Sequence, residues 1–130
     1  MVLDASAVVE YLRWSPAGAR LAQMLLEGDA DLHLPHLCPV EVASAFRSMV
    51  ARAEMGAARA EAALDDLAEL AASRHPVEPL LPRIWELRHN MTAYDATYVA
   101  LAEVLTATLV TADRRLARGA GAVVEVDFVG

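Results

Sequence analysis

Short apolar runs that are typical of strands alternate along this chain with longer segments that carry helical periodicity. Parallel strands need a crossover of a dozen or more residues, usually a helix, so this alternation favours right-handed βαβ units. We therefore expect an α/β protein with three layers, in which a small and mainly parallel sheet lies between helices on both faces. The predicted strands are Val2-Leu3, Asp31 to Leu34, a short one at Val77, Leu109 to Thr111, and Val123 to Val126.

Proline and glycine residues mark where several of the intervening helices begin and end. Pro16 can open a helix that closes at Gly28, and Pro39 suits the first turn of another helix, which Gly56 ends. An amphipathic helix then runs to about Ser73, which predicts a helical hairpin. The other predicted helices begin after Ser6, carry Ile84 and Leu87, run from Thr92 to about Leu105, and turn from Arg114 to Ala117.

Length and composition limit the function classes that need to be considered. The 130 residues are typical of one domain, and we expect a single domain over residues 1–130. Eighteen acidic and 11 basic residues give a net charge of -7, which disfavours a protein that simply coats a nucleic acid. Cys38 is the only cysteine, and no leader or membrane-spanning pattern is visible, so we expect a cytoplasmic protein without disulfides.

Four carboxylates fall at positions that a parallel sheet would bring together. Asp4 and Asp113 directly follow predicted strands, whereas Glu41 and Asp95 lie in the first turns of predicted helices. Ligands of open parallel sheets bind beyond the carboxyl ends of the strands. All four side chains are therefore expected to converge at that edge of the sheet.

Each acid also has a purely structural explanation that the sequence leaves open. Asp4 can cap the first helix, Asp113 can stabilise a turn, and the other two can interact with helix dipoles. This explanation is strongest for Asp95, because Thr92 three residues earlier gives the spacing of a capping box.

Taken together, the four acids present an electrostatic problem that a divalent cation would solve. Carboxylates gathered at one edge repel each other unless they are protonated or neutralised. Carboxylate oxygens are hard ligands that suit Mg²⁺ or Mn²⁺, and Mg²⁺ also binds phosphate oxygens. Such a site could activate a water molecule and stabilise a pentacoordinate phosphate.

Four segments that contain these acids carry a family resemblance over nearly the whole chain. They are Asp4-Ala5-Ser6, Pro39-Val40-Glu41-Val42, Thr92 to Ala102 (TAYDATYVALA) and Thr111 to Leu116 (TADRRL). In these segments the chain resembles the PIN-domain nucleases, and within them the VapC toxins of prokaryotic toxin–antitoxin systems. The last two segments are the specific ones.

The resemblance implies a PIN-like fold and an endoribonuclease that depends on Mg²⁺ or Mn²⁺. It also implies a homodimer whose activity is blocked by a VapB-type antitoxin, and RNA products that carry a 5′-phosphate and a 3′-hydroxyl. Asp4 and Asp95 resemble the principal metal ligands, with Glu41 and Asp113 completing the cluster. A metal-activated water positioned by Asp4 or Asp95 is the expected nucleophile.

Two hydroxyl residues and several arginines could assist these acids. Ser6 and Thr111 resemble residues that orient the carboxylates, although helix capping and a strand-end hydroxyl explain them equally well. RNA must approach an acidic chain, which a local basic rim would allow, although each arginine alone can be an ordinary surface residue. The rim candidates are Arg13, Arg47, Arg52, Arg114, Arg115 and Arg118.

Other residues and other functions fit less well. His33, His36 and Cys38 have a spacing that invites a zinc site, but no second pair of ligands completes it. Trp14, Trp85 and Tyr94 could stack on bases, but their helical spacing favours the core or a dimer interface.

Receiver domains also gather acids at a sheet edge, but they need a lysine, which this chain lacks. Haloacid-dehalogenase-like phosphatases need an aspartate where Ser6 stands. A catalytically inactive PIN-like scaffold that binds another protein is the alternative that stays open.

Overall fold

The computed structural model describes residues 1–130, and its single sheet has five strands that all pair in parallel. The sheet has the order β3-β2-β1-β4-β5, which places β1 at its centre. The strands are β1 (Val2–Leu3), β2 (His33–Pro35), β3 (Ser73–His75), β4 (Leu109–Thr111) and β5 (Val126–Phe128).

Seven helices connect these strands. They are α1 (Ala5–Leu12), α2 (Pro16–Glu27), α3 (Leu37–Ala51), α4 (Ala57–Glu69), α5 (Leu81–Glu86), α6 (Ala93–Leu105) and α7 (Arg114–Ala120). Right-handed crossovers put α1 to α4 on one face of the sheet and α5 to α7 on the other, because the chain builds the sheet in opposite directions from β1. The predicted three-layer architecture is confirmed. None of the helices is both long enough and apolar enough to span a bilayer.

The strand order creates a topological switch point beside the central strand. From β1 the chain moves outward to β2 and β3, and then returns across the sheet to place β4 and β5 on the opposite side. The connections that follow β1 and β4 therefore leave in different directions, which opens a crevice at the carboxyl ends of these two strands. Asp4 and Asp113 lie at this crevice.

Apolar side chains from the sheet and from both helical layers form one continuous core. Leu3 and Val110 from the central strands, Phe46 from α3 and Leu101 from α6 are at most 1% exposed. This core fixes the strand ends, and with them the positions of the side chains that follow each strand.

Two predicted strands are displaced in the structure. The valine run that predicts a strand from Val123 instead closes the end of α7, where the Val123 and Val124 amides donate to the Ala120 carbonyl at 2.9 and 3.0 Å. Pairing with β4 therefore begins only at Val126. The strand predicted at Val77 is wrong as well, because the edge strand β3 lies at Ser73–His75, where polar and largely exposed residues give no apolar pattern.

Glu41 lies deeper in its helix than predicted. α3 begins at Leu37, two residues before Pro39, so the proline occupies the first turn and Glu41 falls in the second. Pro39 fits there because the first amides of a helix lack intrahelical partners. The prediction of Glu41 in the first turn is therefore wrong, and a helix-dipole role for it is weakened accordingly.

Candidate active site

Asp4 is held at the end of β1 by three hydrogen bonds. Its backbone is extended, and its carboxylate accepts the Ala7 amide at 2.9 Å, so it is the N-cap of α1. The Ser6 hydroxyl donates to the same carboxylate at 2.7 Å, and the Thr111 hydroxyl donates to it at 2.7 Å from β4. Capping and site formation are thus combined in one residue, which is only 4% exposed.

Ser6 and Thr111 connect the ends of the two central strands. The Ser6 Oγ accepts the Ala112 amide at 2.9 Å, and the Thr111 Oγ1 accepts the Asp113 amide at 3.0 Å. The two hydroxyl oxygens lie 3.2 Å apart. The contact of Ser6 with Ala112 and that of Thr111 with Asp4 run across the crevice between β1 and β4, so neither hydroxyl merely caps a helix or ends a strand.

Burial changes the acidity of Asp4. Removal from solvent raises the pKa of Asp4 to about 6, against the opposing effect of its hydrogen bonds, and the nearby Asp113 charge raises it further. A carboxylate with this pKa is ionised at neutral pH but unstable as a buried charge. A cation at this position would relieve that cost.

Glu41 is fixed by a tyrosine that sequence reasoning missed. The Tyr98 hydroxyl donates to the Glu41 Oε1 at 2.7 Å, which links α6 to α3. Burial raises the pKa of Glu41, the hydrogen bond from Tyr98 lowers it, and the Asp95 charge raises it. Tyr98 is 2% exposed, and a buried tyrosine hydroxyl needs a partner, so its position one turn after Asp95 was an available signal.

Asp95 belongs to the first turn of α6. Thr92 is the N-cap, and its hydroxyl accepts the Asp95 amide at 3.1 Å, which confirms that the predicted capping position exists. Burial raises the pKa of Asp95, while Arg115 lowers it and Asp113 raises it. The Arg115 guanidinium lies 3.6 Å from the Asp95 carboxylate, although the arginine side chain is 78% exposed.

Asp113 follows β4 and is the N-cap of α7. Its carboxylate accepts the amides of Arg115 at 2.8 Å and Leu116 at 3.3 Å. The predicted turn role is therefore present, and the same carboxylate faces the crevice closely enough to raise the pKa of both Asp4 and Asp95.

The four acids are electrostatically coupled in a chain that runs from Asp4 through Asp113 and Asp95 to Glu41. No three of them lie close enough in this arrangement to share one metal ion. The donor set nevertheless fits a hard divalent cation, because it consists of carboxylate oxygens that repel each other at one crevice. Ligation of one ion would require the partly buried side chains of the other three acids to move closer to Asp4.

Two clefts flank the acids. One, of about 430 Å³, is polar, borders Asp95 and includes Arg88, Asn90 and Arg115 in its lining. The other, of about 320 Å³, lies between α3 and α6 and is lined by Leu37, Val40, Glu41, Ser44 and Tyr94.

The predicted basic rim is only partly present at these clefts. Arg115 borders Asp95, and Arg88, which the sequence did not single out, lies over the Trp85 ring at 4.5 Å. Arg13 and Arg52 pair with nearby glutamates, and Arg114 lies over Phe128 at 5.1 Å.

The remaining sequence candidates lie apart from the acids or have different partners. Trp14, Trp85 and Tyr94 are 72%, 68% and 61% exposed, so the prediction that they lie in the core is wrong, and a dimer interface stays a prediction. His33 pairs with His75 at 3.0 Å across β2 and β3. Cys38 is fully buried, and burial raises the pKa of its thiol to about 12.

Comparison with known proteins relates this geometry to one family. The family model of the PIN domain matches residues 1–122. VapC ribonuclease Mb0985 of Mycobacterium bovis is 49% identical over 107 residues, which cover 77% of this chain and 84% of that protein. Ribonuclease VapC1 of Mycobacterium tuberculosis is 43% identical over 129 residues, which cover 98% of this chain and 96% of that protein.

A solved structure supports the fold alone. The crystal structure of PAE2754 from Pyrobaculum aerophilum superposes with a TM-score of 0.72 over 95% of this chain and 81% of that chain, at 22% sequence identity.

Proposed function

We propose that this chain, which belongs to the PIN-domain family and within it to the VapC ribonucleases, is the endoribonuclease toxin of a type II toxin–antitoxin system. It hydrolyses RNA phosphodiester bonds with an activated water molecule. The observation that carries the proposal is the buried Asp4 carboxylate, which accepts three hydrogen bonds at the switch point and is electrostatically coupled to the neighbouring Asp113.

Asp4 and Asp95 are the proposed principal metal ligands, and Glu41 and Asp113 complete the site. Bound to these oxygens, Mg²⁺ or Mn²⁺ would lower the pKa of a water molecule and neutralise charge on the phosphate. The protein's contribution is rigidity: Thr111 and Ser6 fix Asp4, and Tyr98 fixes Glu41. Held in this way, the carboxylates can orient an attacking water and accept its proton.

Arg115 and Arg88 are the proposed phosphate contacts. Arg115 interacts with Asp95 at 3.6 Å on an exposed side chain, so it can turn to a substrate phosphate when Asp95 ligates an ion. Arg88 donates to the Trp85 carbonyl at 2.8 Å and lies over its ring, which holds the guanidinium at the mouth of the polar cleft. Guanidinium groups bind phosphate oxygens in a bidentate geometry.

The proposal extends to partners and organisation. A VapB-type antitoxin would block the site, the active species would be a homodimer, and residues 1–130 would form one domain. The predicted cytoplasmic location stays a prediction.

Cleavage by the purified protein, freed of antitoxin, tests the proposal. A single-stranded RNA should be cut when Mg²⁺ or Mn²⁺ is added, EDTA should stop the reaction, and Asp4→Asn and Asp95→Asn should abolish it. Asp65→Asn, on the exposed face of α4, is the matched control and should retain full activity. Undiminished cleavage by Asp95→Asn would refute the ligand assignment.

The alternative is an inactive PIN-like scaffold, and the observation that favours it is that no three of the acids lie close enough in this arrangement to share one metal ion. The same experiment separates the two. A protein that binds Mn²⁺ through Asp4 but cuts no RNA would be a scaffold, whereas metal-dependent cleavage would exclude that alternative.

A further inference from the structure

The apolar cleft beside Glu41 has a composition that the metal site does not explain. It opens between the first two turns of α3 and the first turn of α6, has a volume of about 320 Å³, and includes Leu37, Val40 and Tyr94 in its lining. The Tyr94 and Val40 residues are 61% and 68% exposed. Contiguous exposed apolar patches rimmed by polar residues are typical of interaction sites and ligand-binding grooves.

This cleft lies next to two of the acids of the candidate active site. Glu41 forms part of its wall, and Tyr94 directly precedes Asp95 in the first turn of α6. The hydrogen bond from Tyr98 to Glu41 joins the two helices that form the cleft walls. A group bound against Tyr94 is therefore held beside the carboxylates on a fixed platform.

The chemistry of the second cleft, which borders Asp95, indicates what this group is. That polar cleft is also lined by Arg88, Asn90 and Arg115, which suit a phosphate and its sugar. An apolar, aromatic cleft at Glu41 and an arginine-lined cleft at Asp95 match the two parts of a nucleotide. Proteins that bind single-stranded RNA stack its bases on aromatic side chains and contact its phosphates with basic ones.

We propose that Tyr94 is a substrate-binding residue on which one nucleobase of the RNA stacks, next to the phosphodiester that is cut. The inference rests on the proposed ribonuclease function and deepens it by assigning a base subsite to the cleft of Leu37, Val40, Glu41, Ser44 and Tyr94. Ser44 lies in the same lining, and its hydroxyl can act as a donor or an acceptor to the edge of such a base.

Substitutions of Tyr94 test the stack. The probe is a short synthetic single-stranded RNA that the wild-type protein cuts at one bond. Tyr94→Leu should lower kcat/KM for this RNA by about 5- to 150-fold, the range expected for loss of one base–aromatic stack. Tyr94→Phe should retain most of the activity, because it keeps the ring. Leu26→Ala removes another exposed apolar group, on α2 and outside both clefts, and should have no effect.

An abasic substrate separates stacking from a structural role. An RNA series carries a single abasic nucleotide at each position around the cut bond. At one position the wild type should lose as much activity as Tyr94→Leu loses on the intact RNA, and the variant should lose nothing further there. If the losses from Tyr94→Leu and from the abasic nucleotide instead add at every position, the base subsite is refuted. Non-additive losses are expected when the two groups are in contact.

These experiments distinguish an error in the proposed base subsite from an error in the proposed ribonuclease function. If the wild type cuts the RNA and Tyr94→Leu cuts it equally well, the subsite is refuted and the ribonuclease stands. If that variant instead loses only its affinity for the antitoxin, the cleft is a protein-binding surface, which also refutes the subsite. If the wild type cuts no RNA with either metal, the function and the subsite are both refuted.

Discussion

The Asp4 carboxylate lies almost out of contact with solvent while it accepts hydrogen bonds from Ala7, Ser6 and Thr111. These donors orient it, but they do not offset the loss of hydration, and burial raises its pKa to about 6. A group whose pKa is raised on folding favours the folded state when it is protonated and opposes it when it is ionised. Without a cation, the ionised Asp4 is therefore a source of instability at neutral pH.

Asp4→Asn should accordingly be more stable than the wild type at pH 7 in EDTA, although we expect it to be inactive. The contribution of protonated Asp4 to the stability of the wild type is fully present below about pH 4 and is lost as the pH rises through about 6. The difference in the free energy of unfolding between the two proteins should therefore grow over this range. A shift from 3.8 to about 6 corresponds to up to about 3 kcal/mol.

Urea unfolding of both proteins from pH 4 to pH 8 measures this difference. Asp65→Asn, which removes an exposed carboxylate, should show no such trend. A free energy of unfolding that is lower for Asp4→Asn than for the wild type at pH 7 would show that the hydrogen bonds outweigh the burial of charge.

Among the strands, burial determined which ones could be located from the sequence. Leu109–Thr111 is a strand with the predicted bounds, because its apolar run is fully buried between two strands. β3 was misplaced because an exposed edge strand such as Ser73–His75 needs no apolar residues. The position of Asp95 followed from a local motif, whereas the role of Tyr98 depends on a contact between two helices that no local pattern encodes.

This contact between helices predicts a specific effect of Tyr98→Phe. The substitution removes only the hydroxyl that donates to Glu41, so the fold should lose about 1 kcal/mol of stability, the usual contribution of one hydrogen bond. Glu41 would then be free to turn away from the crevice, and metal-dependent RNA cleavage should fall by more than the stability loss explains.

Tyr11→Phe is the control for this prediction, since Tyr11 lies on α1 and contacts the Trp14 ring. Unfolding by urea and cleavage rates at saturating Mn²⁺ supply the two measurements. Cleavage by Tyr98→Phe at the wild-type rate would mean that the tyrosine is needed for packing alone.

For the whole molecule, a net charge of -7 must be reconciled with a polyanionic substrate. At long range the chain repels RNA, so the attraction has to come from the crevice itself. The polar cleft concentrates Arg88 and Arg115 beside Asp95, while Arg13, Arg52 and Arg83 are paired with glutamates elsewhere. RNA binding should therefore depend on a few local contacts and only weakly on ionic strength.

The salt dependence of RNA binding measures the number of these contacts. For single strands, the slope of log K against log salt is about -0.7 per phosphate contact, so two arginines give about -1.4. Arg88→Gln and Arg115→Gln should each reduce the magnitude of the slope by about 0.7, measured by fluorescence anisotropy with the inactive Asp4→Asn background. Arg47→Gln, on α3 outside the polar cleft, should leave it unchanged. An unchanged slope in all three variants would show that the cleft does not bind phosphate.

The hydrogen bond from Thr111 to Asp4 spans 107 residues, and Asp113 comes from the last fifth of the chain. During translation, Asp4 is therefore synthesised long before Thr111 and Asp113. Until these residues have been added the crevice does not exist, so the proposed active site is assembled only after β4 has joined the sheet.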